Sequence, residues 1–578
     1  MTTKRRFNKR ALTACTVMLL GAGLAACSSS TSTGASGGST SSTSSTSSNS
    51  NQQPLVMESS PEETLTDNFN PFDGASPIQG MGATGLVYEP LYQFDLANPS
   101  AAPYPWLATS YQWGSGGKSI TFTIRQGVKW TDGQPMTAAD VAFTYNYVLK
   151  YANSKTDNIN FGGLPATTKV STTGDTVTLT FPSAQYMNLE HIAGQAILPQ
   201  HIWSTVADPG HFTDPKPVGT GPYTLGSFTN QGYTMVANPS YWAPVPVKKV
   251  YFPDYTSNPP AQNALFSGKI DWTGNYIPNL QQDFISKDPQ HNVAFEGSNS
   301  SGAFYPNLKT GPTADLQVRK AIDVAINRQL MGTEGESGLE APVLNASGIT
   351  QPAFSAWLAP SLASNNLNPS GDPAAAATVL KADGYTKDSA GYFTKGGQEL
   401  SVSIETPGSY TDFANDVELA VQSLKTAGIK ASFKNVTVDA YNADAMDGNF
   451  QILLRWGQGG ITPYNLYDGW LDPTLIGTGN GNYEKLNNPT MTADLAKLNG
   501  DQTIAQQTTD LTPIETYVAT QLPVIPTTTS AEWCEYTSIH FTGWPTQSNP
   551  YQSCQPSGTN NGPGTGTDEY VLLHLKPA

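Results

Sequence analysis

RQGVKWTDGQPMTAADVAFTYN fills residues 125–146, and its punctuation can be read almost residue by residue. Ahead of it Ser119 to Ile124 reads SITFTI, polar and apolar in strict alternation, the pattern of a strand with one buried face. Asp132-Gly133 marks a tight turn. Thr137 stands where a helix N-cap belongs, and Asp140 three residues later completes an acidic variant of the capping box. In the helix that follows, TAADVAFTYNYVLK, the residues Val141, Tyr145, Val148 and Leu149 share a face.

The same alternation of element types continues outward. TVTLTFP from Thr176 is another strand. PVGTGPYTLGSFTNQGYTMVANPSYW supplies a Gly/Pro turn and a hairpin, Tyr223 to Phe228 with Tyr233 to Ala237. A helix is expected from Asn258 to Ser267, stopped by Gly268 and followed by a short strand, Ile270-Asp271-Trp272. LQVRKAIDVAINRQLM, from Leu316, is a strong helix with Val318, Ile322, Ala325 and Ile326 as its stripe, and with Lys320, Asp323 and Arg328 facing out or capping. Ala374 to Ala382 is a further helix. The strand GGQELSVSIETPG, the helix DFANDVELAVQSLKTAGI ended by Gly428, and the strand ASFKNVTV then run in order. QLPVIP and the terminal EYVLLHLKP read as strands. Strand–helix–strand order of this kind argues for an α/β fold. With about 525 residues beyond the N-terminal region, more than one core is expected, since single cores rarely grow past about 250–300 residues.

The N-terminal region is of a different kind. MTTKRRFNKR is basic, and ALTACTVMLLGAGLAA is apolar or small throughout but shorter than a membrane span. Together they form an export signal, residues 1–26. The exit, Leu24-Ala25-Ala26-Cys27, resembles the bacterial lipobox, which would make Cys27 the lipidated first residue of the mature chain. Residues 27–53, rich in Ser, Thr and Gly, have nothing to bury and read as a disordered tether. The chain carries 30 basic and 46 acidic side chains, a net charge of -16; loss of the basic signal makes the remainder more acidic still, which disfavours nucleic acid and anionic lipid surfaces as partners. Cys534 and Cys554 remain as one pair in an exported chain, so a disulfide between them is expected.

Catalytic patterns are missing. The six histidines, His191, His201, His211, His291, His540 and His574, show no compact metal spacing, and His574 reads as the polar face of a strand. There is no GxSxG elbow and no phosphate loop; Gly219-Thr220-Gly221-Pro222 reads as a turn. No enzyme activity, metal or cofactor is expected. Aromatic residues do stand out. Trp456, Trp544, Tyr88 and Tyr92 sit among Gly, Asn and Gln, a setting that suits either a ligand floor or a core ring with a polar tip.

Seven stretches in order resemble one family, the extracytoplasmic solute-binding proteins of family 5 (dipeptide, oligopeptide and nickel type) that feed ABC importers. They are residues 125–146, VGTGPY at 218, NPSYW at 238, LFSGKIDW at 265, VRKAIDVAINRQ at 318, LKADGYTKDSAGYF at 380 and LPVIP at 522. The resemblance implies a periplasmic-binding-protein-like class II clamp, two lobes with an additional domain. Domain I would comprise 54–84, 226–306 and 521–578, domain II 85–225, and domain III 307–520. It further implies a monomer that captures a solute between lobes, delivers it to an ABC permease, and stays on the outer face of the membrane through lipidated Cys27.

Peptide-binding members hold the ligand's amino group with an aspartate shortly after the strand that corresponds to Gln451–Trp456. Here that window reads Trp456-Gly457-Gln458-Gly459-Gly460, with no acid before Asp468. The loop instead offers Gln458, Thr462, Tyr464, Asn465 and Tyr467, neutral groups between rings, and GWPTQSNPY also resembles the family's oligosaccharide-binding branch. An oligosaccharide, β-linked as the resemblance to that branch implies, is therefore the expected ligand, with Tyr88, Trp456, Gln458, Tyr464, Tyr467 and Trp544 as contacts. An oligopeptide is the alternative, with Asp468 taking the amine. A sensory or adhesive lipoprotein on the same scaffold is the alternative from another class.

Overall fold

The computed structural model describes residues 53–59, 65–73, 76–151, 159, 163–294, 297–556 and 567–578. The export signal, Cys27 and the tether lie outside the described residues. Everything below belongs to the compact unit Gln52–Ala578. Among the described residues no helix is long and apolar enough to cross a membrane.

Three sheets organise the chain. A seven-stranded sheet runs in the order Asn292–Ala294, Glu535–Thr537, Trp272–Thr273, Leu55–Glu58, Lys249–Pro253, Gly232–Ala237 and Tyr223–Thr229. A four-stranded antiparallel sheet is built from Ala108–Trp113, Ser119–Ile124, Thr176–Thr180 and Lys169–Thr173, with the helix Ala138–Tyr151 packed on it. One continuous apolar core serves both, from Leu55 to Leu575, and they form a first body. The second body is a five-stranded sheet, in the order Lys430–Val436, Ser401–Pro407, Ile452–Trp456, Gly297–Pro306 and Ile525–Glu532. It has a core on each face: Leu453 and Tyr305 look one way, Ile452, Leu454 and Phe304 the other, as the period of two requires.

The opening stretch behaves as its sequence says. Gly133 takes φ +92°, and its N–H donates to Trp130 O at 2.8 Å. The Thr137 N–H and Oγ1 donate to Asp140 Oδ2 at 2.8 and 2.9 Å. Asp140 Oδ1 also accepts from Gln200 N–H at 3.2 Å, so the cap doubles as a tie to the helix Gln200–Trp203. Gly219 and Gly221 press on the backbone of Leu86 and Val87: a Cβ on Gly219 would stand 1.7 Å from Val87 O. That close approach accounts for the glycines. Cys534 and Cys554 are disulfide-bonded, and Trp272 Nε1 donates to Cys554 O at 2.8 Å.

Several expectations need correction. The C-terminal EYVLLHLKP is not a strand: Thr567–His574 is a helix, and only Lys576–Pro577 pairs. Leu572 is fully buried and Val571 and Leu575 pack with it, a run that fits a buried helix as well as a strand. The helix from Leu316 ends at Ala325. Asn327 caps a new short helix, Arg328–Leu330, with its side chain on Leu330 N–H. That break turns Arg328 inward. Its side chain is 1% exposed, pairs with Asp323 at 2.5 Å and donates to Pro526 O at 2.8 Å. Asp323 and Arg328 are therefore a buried pair and not surface groups.

The sheets also place the two segments 297–306 and 525–532 with the body that holds 307–520. Asn292–Ala294 and Glu535–Thr537, their immediate neighbours in sequence, pair with each other in the seven-stranded sheet. By strand membership the chain passes between the bodies at two adjacent points, the arrangement of a two-stranded hinge.

Candidate functional site

The strands Ser401–Pro407, Lys430–Val436 and Ile452–Trp456 are mutually parallel. Ile452–Trp456 is antiparallel to Gly297–Pro306, with Trp456 opposite Gly302. Gly297 marks the crossing point, so the carboxyl ends of all three parallel strands face the junction between the bodies. Ligands of open α/β sheets gather outside the carboxyl ends of such strands.

What stands at those ends is aromatic and acidic. Half-buried Trp456 lies with its ring 5.6 Å from Phe413 and 6.2 Å from Tyr410, tilted by 43° and 46°. Arg455 beneath them stacks on Tyr441 and Tyr483, each at 4.5 Å, and fixes the base of the cluster. Asp412 opens the helix Thr411–Ala427, and burial raises its carboxyl. Behind it stand Asp416, Glu336 and Glu340. Burial, then the neighbouring acids, pushes Glu336 up to about 12, and burial takes Glu340 to about 8. Neither Glu336 oxygen has a donor, and it lies beside Asp416, so this pair is neutral or singly charged. A Cβ on Gly335 would come within 1.9 Å of Asp416 Oδ1, so the acid is packed directly against this backbone.

The first body reaches across. Tyr276 shares a hydrogen bond with Ser337 Oγ at 2.7 Å and donates to Gly335 O at 3.1 Å. Its ring meets Trp533 edge-on at 5.6 Å. On the other flank Glu190 Oε2 accepts from Ile461 N–H at 2.9 Å and from Asn465 Nδ2 at 3.1 Å. The backbone N–H groups of Tyr186 and Met187 donate to Asn499 O and Oδ1 at 3.0 and 3.1 Å.

Of the six side chains expected at the ligand, two lie at this junction. Trp456 is the ring just described, and Gln458 donates to Asn480 O at 3.1 Å. The other four are core. Tyr88 is fully buried and its hydroxyl donates to Asp214 Oδ2. Tyr464 is 7% exposed and accepts from Asn499 Nδ2 at 3.3 Å. Tyr467 donates to Ser347 O at 3.2 Å. Trp544 stacks on Tyr536 at 4.5 Å, meets Trp272 at 5.4 Å, and donates to Phe541 O. In each case a polar tip that looked available for a ligand has a protein partner. Asp468 is pushed up to about 7 by burial and accepts from the Tyr464 hydroxyl. Tyr276, Glu190, Tyr410, Asp412, Phe413 and Trp533 stand at the junction as well, Tyr276, Glu190 and Trp533 without any local sign of it in the sequence. Tyr410 to Phe413 could have been found, because they follow a strand end at Pro407-Gly408; the others meet the site only through the topology.

Residues 102–477 match the family model for bacterial extracellular solute-binding proteins, family 5. The chain belongs to this family. It is 28% identical over 432 residues to Protein XP55 of Streptomyces lividans, covering 72% of this chain and 74% of that one. To the periplasmic murein peptide-binding protein MppA of Escherichia coli it is 26% identical, over 73% and 79% of the two chains. Among solved structures it resembles the mannohexaose-bound periplasmic oligopeptide-binding protein of Thermotoga maritima, with a TM-score of 0.79 and 22% identity over 91% of this chain and 99% of that one. The fold is thus the two-lobed clamp of family 5, the two bodies being its lobes. The protein is an extracytoplasmic solute-binding protein of the ABC-import type, a binding and not a catalytic family.

Proposed function

We propose that the protein captures an oligopeptide between its two lobes and delivers it to an ABC permease. The reading rests above all on one observation: an acidic side chain stands at the junction although the loop after Trp456 carries none. Asp412 comes from the neighbouring strand end. A buried ammonium needs a paired charge, and this carboxylate would offer one. Trp456, Phe413 and Tyr410 would pack peptide side chains. The peptide-binding relative MppA points the same way. Lipidated Cys27 would hold the protein at the outer face of the membrane, and the tether would let it reach the permease as a monomer.

An oligosaccharide is the second reading. The exposed part of the Trp456 ring and the uncharged loop from Gly457 to Thr462 suit a sugar, and one solved structure that resembles this chain in fold is bound to mannohexaose. Thermal unfolding against two panels separates the two, one of mixed tri- to pentapeptides, one of β-1,4, β-1,3 and α-1,4 oligosaccharides. A ligand of the folded state adds about 2.7 kcal/mol at 100 Kd. A shift with peptides alone is expected. A shift with saccharides alone would replace this reading by the second one.

A further inference from the structure

We propose that Glu190 is a positioning residue that latches the two lobes together over the site, and that the latch is proton-dependent. The inference rests on the two-lobed clamp and not on which solute it takes.

The contact is built, not incidental. Glu190 lies on the short helix Leu189–Ala193 of the first lobe and is 2% exposed. Its Oε2 holds both the Ile461 N–H and the Asn465 amide of the second lobe, the loop that also carries Trp456 and Gln458. A Cβ on Gly460 would lie 2.8 Å from that oxygen, so the loop passes directly over it. Apolar side chains are exchanged around the same point. Met187 of the first lobe is buried in the second lobe's core, and Ile461 of the second packs on the first lobe's core. Asn499 accepts two backbone N–H groups from Tyr186 and Met187. A carboxylate that bridges two bodies can do so only while they are together.

Proton dependence follows from the other oxygen. Glu190 Oε1 is buried and receives no hydrogen bond. A charged carboxylate so placed is poorly solvated, and burial pushes the group up to about 7. The titratable groups around it supply no cation. His191, next on the helix, is held down to about 4 by burial and is neutral. Tyr464, beside Asn465, and Tyr145, under the helix, are both held up by burial. Asp468, one turn beyond Asn465, is turned to Tyr464. Once the lobes part, Glu190 meets water and titrates near the ordinary value, about 4.3. Closure therefore takes up a proton between these limits. The closed form is favoured on the acid side and loses ground as pH rises toward 7, while Oε2 keeps its two donors in either protonation state.

Closure can be trapped without a ligand. Gly500 and Ala184 face each other across the lobes, with a Gly500 Cβ 3.9 Å from Ala184 Cβ, within disulfide reach. The full chain carrying Cys15→Ser, Cys27→Ser, Ala184→Cys and Gly500→Cys would be oxidised with diamide at pH 5.5 and at pH 7.5, and the cross-linking rate compared with that of the same chain bearing Glu190→Gln or Glu190→Ala. Comparison at one pH cancels the pH dependence of thiol chemistry. The rate relative to Glu190→Gln should fall about tenfold from pH 5.5 to 7.5. Glu190→Ala should cross-link several-fold more slowly than Glu190→Gln at both. A relative rate that does not change with pH would overturn the proton dependence, and equal rates for Glu190→Ala and Glu190→Gln, or no cross-link at all, would overturn the latch.

Discussion

Trp456 shows how one side chain can serve both structure and site. It closes the strand Ile452–Trp456 opposite Gly302, and its ring is half-buried against Tyr410 and Phe413. Truncation should leave the fold intact, because little of the core depends on it, yet remove an anchor of the kind that dominates binding energies. Trp456→Ala is expected to lose at least tenfold in affinity, about 1.4 kcal/mol, for whichever panel member binds, measured by titration calorimetry. Asp323 is the opposite case. It neutralises a fully buried Arg328 away from the junction's aromatic cluster. Asp323→Ala leaves that guanidinium without its charge partner, at a cost of about 3–5 kcal/mol, to be read from urea unfolding.

Elements were legible where local chemistry alone sets them. The strand Ser119–Ile124, the turn at Gly133, the Thr137 cap, and the helix Thr411–Ala427 ended by Gly428 at φ +93° all stand where the residues placed them. The disulfide was legible too, because compartment and count left one pair. Removing it by Cys534→Ser with Cys554→Ser should cost about 3 kcal/mol, measurable in the same urea titration under non-reducing conditions. Two kinds of feature were hidden. An unbroken apolar run such as VLL carries no period, so the final helix read as a strand. A residue whose role depends on which strands lie side by side gives no local sign. Glu190 is an ordinary acid in the sequence and becomes a bridge only because Asn465 and Ile461 are folded over it. Tyr88, Tyr467 and Trp544 are the converse: polar-tipped rings in turn-rich surroundings whose partners, Asp214, Ser347 and Phe541, lie on the protein itself.

On the scale of the molecule, buried carboxylates recur. Glu190, Glu336, Glu340 and Glu532 are all held above their ordinary range, chiefly by burial. The sign of the consequence is fixed. A group whose folded value is raised gives its full stability below the unfolded value near 4.3 and loses it as pH rises toward the folded value. For Glu190, Glu340 and Glu532 that window runs from about 4.3 to between about 7 and about 8. The unfolding temperature should therefore be higher at pH 5 than at pH 8, by differential scanning calorimetry; a midpoint that rises toward pH 8 would mean that these carboxylates are ionised and satisfied in the folded state. Two adjacent chain crossings, carboxyl strand ends turned toward them, and hydrogen bonds that span the gap are the parts of a hinged clamp. Small-angle X-ray scattering of the chain with and without the peptide panel tests that claim most directly. The expected result is a fall in radius of gyration on adding peptides, with no change on adding saccharides. An unchanged radius with a peptide that demonstrably binds would contradict capture by closure.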